Sequence, residues 1–503
     1  MSAIVASKPP VEAAPTRRYP RWTISWGGPL AVAALGGWLR FADLGRPHAL
    51  VFDETYYVKD ALSLITFGAE HSAVNNADEL LLQGGDWRTM GLFENEPSFI
   101  VHPPLGKWVI GSGEALFGAT PFGWRFAVAL LGTLSILILA RSVLRMTGSG
   151  LWGTVAGLLL AIDGMAIVMS RTAVLDGILA FFVLAAFWAL LVDRDKARSP
   201  GRVSRSWWRP WRLAAATFLG LACAVKWSGL WYLAALVLLT IAWEVGRRRR
   251  LGDGLVGSLL RDGLPTVLTM TGLAVVVYVA SWAGWFLSDS GWDRGWAAGS
   301  GIAATLASLW HYHAEMWGFH NSLSATHSYQ SPAAAWLIQA RPTSFYYDAS
   351  GAAASGCGSG SCAAEVIALG NPLIWWAGVL ALLHQAWRWI GPRDWRAGAA
   401  VVGVLAGWAP WLFYWDRTIF AFYSIVFTPF LIMALTFSLM TITTNGAVST
   451  ESTNPRAERP RIVFVAAFLL LCVAVSWWFY PLWTGLPVDT SAWSLRMWIP
   501  TWI

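Results

Sequence analysis

Eleven apolar runs, each near the twenty or so residues a helix needs to cross a hydrocarbon core of roughly 30 Å, punctuate this chain. They lie at 24–41, 122–146, 151–170, 173–192, 212–228, 229–246, 264–287, 371–389, 398–414, 418–441 and 462–482. A chain so patterned folds as an all-α polytopic membrane protein, because in lipid each backbone N–H and C=O must be satisfied within its own span. Composition agrees: 13% of the 503 residues are charged and 56% hydrophobic, against about 25% charged in soluble domains. The net charge of +7 does not imply nucleic acid, since the basic residues gather in short connections where they orient a membrane protein. Four cysteines are too few for a disulfide scaffold.

With the N-terminus cytoplasmic, the inner segments hold 24 of the 36 Lys and Arg, Arg247 to Arg250 among them. An odd number of spans then puts the C-terminal tail, 483–503, outside. The tail at 1–23 is Pro- and Ala-rich and expected to be disordered; no small-residue cleavage site marks it as a removable signal. The run opened by Pro103-Pro104 is only about 15 residues long. Reading it as an interfacial helix keeps Arg141, Arg145 and Arg247–Arg250 inside.

Two outer segments, 42–121 and 288–370, are too long to be connectors, and long loops on such a scaffold carry function. The first holds Phe52-Asp53-Glu54, followed by Val58, Ala61, Leu62 and Ile65 at helical spacing, which predicts an amphipathic helix on the outer face. Ionised carboxylates at its start suit a general base acting on a hydroxyl; a simple capping pair is the competing reading. His102-Pro103-Pro104 then aims His102 and Lys107 at the same boundary, and Arg125 stands at the outer end of the second span. Lys107 and Arg125 are candidates to clamp a phosphate, with interfacial snorkelling as the alternative.

Arg171 and Asp176 share an outer hairpin and suit either a structural ion pair or the site. Lys226 has no carboxylate near it in sequence, and a buried charge needs a partner, so an anionic ligand is attractive there. In the second outer segment, His311 and Glu315 stand at helical spacing and His320 and His327 follow. They do not make the three or four converging ligands of a zinc site, so hydrogen bonding to a polar substrate or to the loop is expected. Arg417 adds a further outer cation. Cys357 and Cys362, separated by Gly-Ser-Gly-Ser, are placed for a small disulfide clamp in an oxidising compartment.

These motifs, in this order, resemble protein O-mannosyltransferases: Phe52-Asp53-Glu54, the His-Pro-Pro-Leu-Gly-Lys stretch at 102–107, Trp124-Arg125, Ser170-Arg171 with Leu175-Asp176, Val225-Lys226-Trp227-Ser228-Gly229, His320 with His327, Tyr329 and Ser331, and Gly370-Asn371-Pro372. The resemblance runs from about residue 30 to 480. It implies the GT-C fold over 24–482, with two interfacial helices and a catalytic carboxylate in the first outer loop. It also implies transfer of mannose, with inversion, from polyprenyl-phosphate mannose to Ser or Thr hydroxyls of proteins leaving the secretion machinery, at the outer face of a bacterial cytoplasmic membrane. Carried over by motif, Asp53 is the base, Glu54 orients acceptor or donor, and Arg125 and Lys226 hold the donor phosphate. His102, Lys107, Arg171, Asp176, His320, His327 and Arg417 are supports. The paired Asp53 and Glu54 could hold a divalent ion, but two adjacent carboxylates seldom suffice without further ligands, so a metal is not predicted. The roughly 80 residues of 288–370 leave no room for the β-trefoil domain of eukaryotic relatives, so this resembles the compact bacterial form.

Two other classes share parts of the pattern. GT-C transferases of arabinose or aminoarabinose also have an acidic first loop and a Pro-Pro interfacial helix, but lack the joined Val-Lys-Trp-Ser-Gly and His/Tyr/Ser set. A lipid-linked anion transporter would use the same cations, but calls for charge at the membrane midplane, whereas these polar residues crowd one face.

Overall fold

The computed structural model describes residues 23–198, 207–349, 357, 361–444 and 455–503. The disordered tail expected at 1–23 lies outside them, save its last residue. Every one of the eleven apolar runs is largely helical: α1 (Gly28–Phe41), then, beyond the first long loop and its helices α2 (Glu54–Phe67) and α3 (Leu105–Phe117), α4 (Pro121–Thr147), α5 (Gly150–Ile162) with α6 (Gly164–Arg171), α7 (Leu175–Ala197), α8 (Pro210–Val225), α9 (Gly229–Arg250) and α10 (Leu264–Ser281). After the second long loop, which contains α11 (Ile302–Ser322), come α12 (Pro372–Ile390), α13 (Trp395–Trp408), α14 (Thr428–Thr444) and α15 (Pro455–Thr484).

Among the described residues six helices are long and apolar enough to cross a membrane, and a seventh crossing is counted if α5 and α6, bent by 61° at their junction, make one span. Length and composition thus account for six or seven of the eleven crossings expected. The other runs give shorter or less apolar helices. Residues Ala421–Val426, for instance, wind as 3-10 turns ahead of α14, which is itself only 17 residues long.

The junction of α5 and α6 explains one motif. Asp163 caps α6 by accepting the Ala166 N–H (3.1 Å), and its other oxygen accepts the N–H of Asn371 (3.0 Å) and of the Trp375 indole (2.9 Å). Asn371 in turn caps α12 through its Oδ1 and donates to the Cys472 carbonyl and to Ser476 Oγ, both at 2.8 Å. Buried polar groups need such partners, and this set ties α5, α6, α12 and α15 at one point beneath the site.

Both long loops and the C-terminal tail meet on one side. The antiparallel strands β1 (His71–Ala73) and β2 (Phe93–Pro97) belong to the first loop. In the second, β3 (Thr343–Asp348) and β4 (Cys362–Ala368) pair antiparallel, and the tail adds β5 (Val488–Asp489) to β4, with Cys362 opposite Asp489. His71 Nε2 meets Ser290 Oγ at 3.0 Å, and the Tyr312 hydroxyl donates to the Ile100 carbonyl (3.2 Å), joining the two loops. The disulfide Cys357–Cys362 forms at the head of β4, as its spacing suggested.

Candidate active site

The helix α2 exists where its pattern placed it. Val58, Ala61 and Leu62 are fully buried, and Gly68 ends it in the left-handed region (φ +77°). Its start is unusual. Phe52 has φ +50°, a conformation costly for a residue with a bulky side chain. Its ring is held against Phe345 (4.7 Å, nearly parallel) and edge-on to Phe420 and Phe422. That clamp turns the chain so that Asp53 and Glu54 point into different surroundings. Asp53 makes no side-chain capping bond, so the capping-pair reading does not describe it.

Glu54 is sealed, at 0% exposure. Its two oxygens take Arg125 Nε and Nη2 side by side, both at 2.8 Å, and also accept the N–H of Val51 (3.0 Å) and of Ala173 (2.8 Å). The remaining N–H groups of Arg125 go to the carbonyls of Leu44, Pro47 and Ala49. A guanidinium has five N–H donors, and all five are spent within the fold. The geometry therefore gives Arg125 and Glu54 a different task from the phosphate ligation and substrate orientation expected of them: together they staple the first loop to α4 and to the α6–α7 hairpin.

Two other expected phosphate or site cations are likewise occupied. Lys107 is fully buried, paired with Glu70, and donates to the His102 carbonyl (3.3 Å). Arg171 does not pair with Asp176. It donates to the carbonyls of Arg40, Ala42 and Asp43, each at 2.8 Å, and so binds the unsatisfied end of α1.

What converges around Asp53 is a smaller set. Tyr57, one turn along α2, places its hydroxyl 3.5 Å from Asp53. Burial raises the Asp53 carboxyl to about 6, a rise that Lys226 opposes and Asp176 reinforces. Lys226 stands between α8 and α9, its ammonium 3.0 Å from both oxygens of Asp176 and 4.1 Å above the Tyr423 ring. Asp176 is thus the carboxylate partner that sequence proximity did not supply.

Lys226 lines a cavity of about 220 Å³ with His102, Trp227, Trp317, His320, Trp411 and Arg417. His320 donates from Nε2 to the Val101 carbonyl (2.7 Å), which leaves Nδ1 to accept from Arg417 Nη2 (3.2 Å). Burial, with Arg417 beside it, lowers His320 to about 4; burial together with Lys226 holds His102 well below the usual histidine range. The stacked pair, ring centroids 5.1 Å apart, is therefore neutral and leaves the charge to Lys226 and Arg417. Arg417 forms no ion pair with a carboxylate among the described residues, so its charge faces the cavity.

A second cavity, about 810 Å³, runs between α9 and α13 and is almost wholly apolar: Ala235, Leu238, Leu239, Val402 and Leu405 line it. Trp231 and Tyr414 border both cavities, so an aromatic-walled pocket holding two cations adjoins an apolar groove. His327 lies apart from this pocket, edge-on to Phe420 near Phe52, its Nδ1 accepting the Tyr329 N–H. His311 pairs with Asp293 (3.1 Å), and no cluster of three or more His, Cys, Asp or Glu suited to a metal occurs among the described residues. Trp411 and Glu70 were not singled out from the sequence. Each reads there as an ordinary aromatic or surface acid, and only the fold brings it to its partner.

The chain matches two family models, dolichyl-phosphate-mannose-protein mannosyltransferase over residues 30–253 and the C-terminal four-helix membrane region of protein O-mannosyltransferase over 305–502. A polyprenol-phosphate-mannose–protein mannosyltransferase of Mycobacterium tuberculosis is 37% identical over 81% of this chain and 82% of its own length. One from Mycolicibacterium smegmatis is 33% identical over 98% and 95%. Among solved structures, the Saccharomyces cerevisiae Pmt1–Pmt2 complex bound to its sugar donor matches with a TM-score of 0.74, at 14% identity, over 97% of this chain and 93% of that one, a likeness of fold. Matching family models along most of its length, and 33–37% identical to relatives of which it covers 82–95%, the chain belongs to the protein O-mannosyltransferase family of glycosyltransferases.

Proposed function

We propose that this chain transfers mannose from polyprenyl-phosphate mannose to Ser or Thr hydroxyls of proteins crossing the membrane, with inversion at the anomeric carbon. The observation that carries this is the joining of three chemistries in one place: a half-buried carboxylate, a pocket with two cations, and an apolar groove leading from it. The groove between α9 and α13 takes the prenyl chain, and Lys226 and Arg417 face the phosphate. Asp53 accepts the proton of the acceptor hydroxyl as its oxygen bonds to the anomeric carbon, while the bond from that carbon to the phosphate oxygen breaks. The charge gathering on the departing phosphate is what the two cations stabilise. A phosphate leaves readily without a proton, so no second acid is needed. Asp176 holds Lys226 in place, and Glu54 with Arg125 fixes the backbone on which Asp53 sits.

The charge asymmetry of the sequence supports a cytoplasmic N-terminus and a site on the outer face. The decisive assay uses membranes carrying the protein, radiolabelled polyprenyl-phosphate mannose and a Ser/Thr-rich peptide. Wild type transfers label, whereas Asp53→Asn loses at least about a thousandfold, the upper part of what a positioned base supplies, while still inserting. Full activity in Asp53→Asn overturns the assignment of the base. No transfer by wild type from this donor, with transfer from a prenyl-phosphate pentose, overturns the assignment of the sugar.

A further inference from the structure

We propose that α11, the helix within the second long loop, lies on the bilayer surface and forms the lipid-side wall of the donor pocket. Along α11, Ile302, Leu306, Trp310 and Trp317 are 80, 49, 78 and 63% exposed. At about 100° per residue these four fall within one quarter of the helix circumference. Leu309, Met316 and Tyr312 occupy the adjoining quarter on one side of the stripe and are buried. Tyr312 fixes that side by donating to the carbonyl of Ile100 (3.2 Å) and accepting its N–H (3.0 Å). The helix is thus docked on the protein along one face, with a stripe of large apolar side chains flanking that face and left uncovered by the protein.

Continuity identifies what covers the stripe. At its start, Ile302 and Leu306 share a cleft with Phe286, just beyond α10, and Leu287 beside it is 87% exposed. At its end, Trp317 lines the pocket of Lys226 and Arg417 together with Trp231 and Tyr414, which also border the apolar groove between α9 and α13. The stripe therefore joins the exit of a membrane-spanning helix to a lipid-facing groove. Tryptophan on an amphipathic helix suits the headgroup boundary, where its ring is wetted on one edge. Glu315, on the flank away from the stripe, is exposed and charged, as the water-facing side requires. A lipid-linked donor then reaches Lys226 beneath α11 without leaving the membrane.

This inference rests on the membrane placement and not on the sugar transferred, so its test is free of activity. Trp310→Cys and Glu315→Cys variants of the full chain are labelled with an environment-sensitive fluorophore in phosphatidylcholine liposomes. Cys223 and Cys472 are buried and Cys357 and Cys362 bridged, so the background is low. Lipids with nitroxide near the headgroup should quench the label at 310 several-fold more than at 315, with a blue-shifted emission at 310 alone. Leu306→Cys serves if Trp310→Cys fails to fold. Equal quenching at both positions, or a label at 306 and 310 that stays in water or cross-links to a second copy, overturns the proposal.

Discussion

Asp53 and Glu54 are neighbours of like chemistry with opposite fates, and their difference predicts a pH profile. Glu54 spends its oxygens on four donors, Asp53 on one long contact with Tyr57. Burial raises Asp53 to about 6. A base works only when ionised, so kcat/KM should fall about tenfold per unit as pH drops below about 6, and rise to a plateau above it. If Lys226 contributes to holding that value down, Lys226→Gln moves the limb upward as well as weakening donor binding; a limb near pH 4 would contradict the burial of Asp53. Glu114 offers a second test. It is buried on α3 with neither oxygen hydrogen-bonded to a described residue, and burial raises its carboxyl well above the ordinary 4.5. A raised folded value means stability is fully present below 4.5 and is lost as pH climbs toward the folded value, because the unfolded chain releases a proton that the folded one keeps. Glu114→Gln removes that loss. Its melting temperature relative to wild type should therefore increase from pH 5 to pH 8, and a constant difference would show that Glu114 finds a partner.

At the scale of elements, the runs of apolar residues and the periodicity of α2 were legible because they are local. The partners of the cations were not. Arg125 meets Glu54 71 positions away, and Lys107 meets Glu70 37 positions away. A lone Arg at a span end reads the same whether it binds a phosphate or a buried carboxylate, so the sequence pointed to both as ligands, whereas the fold leaves Lys226 and Arg417 facing the pocket. The Gly370-Asn371-Pro372 motif was similarly visible without its meaning, which lies in the junction at Asp163. The staple predicts that Arg125→Lys, which keeps the charge but loses the paired fork, destabilises the protein. Breaking a buried pair costs about 3–5 kcal/mol, and even this partial loss should lower the melting temperature by several degrees and reduce kcat by displacing Asp53, with donor affinity little changed. Unaltered kcat would mean that the staple is not what positions the base.

For the whole molecule, the C-terminal tail is wired into the machinery from which it is remote in sequence. Trp502 is buried beside Phe479 and donates from its indole to the Gln339 carbonyl (2.7 Å). The Gln339 side chain accepts the Gly370 N–H (2.8 Å), and the next residue, Asn371, bonds to Asp163 at the bend between α5 and α6. From Asp163 the chain runs through α6 to the hairpin whose Ala173 N–H holds Glu54 and whose Asp176 holds Lys226. A path of hydrogen bonds and short stretches of backbone thus links the last residues to the segment that carries Asp53. Trp502→Ala should cost about 3–5 kcal/mol, as for other buried aromatics, read as a lower melting temperature. Because Trp502 borders neither the cation pocket nor the apolar groove, donor KM should hold while kcat falls. A variant that melts early yet turns over at the wild-type rate would show the tail to be a structural brace alone; a rise in donor KM would show that loosening the tail and its strand β5 reaches α11 and the pocket wall first.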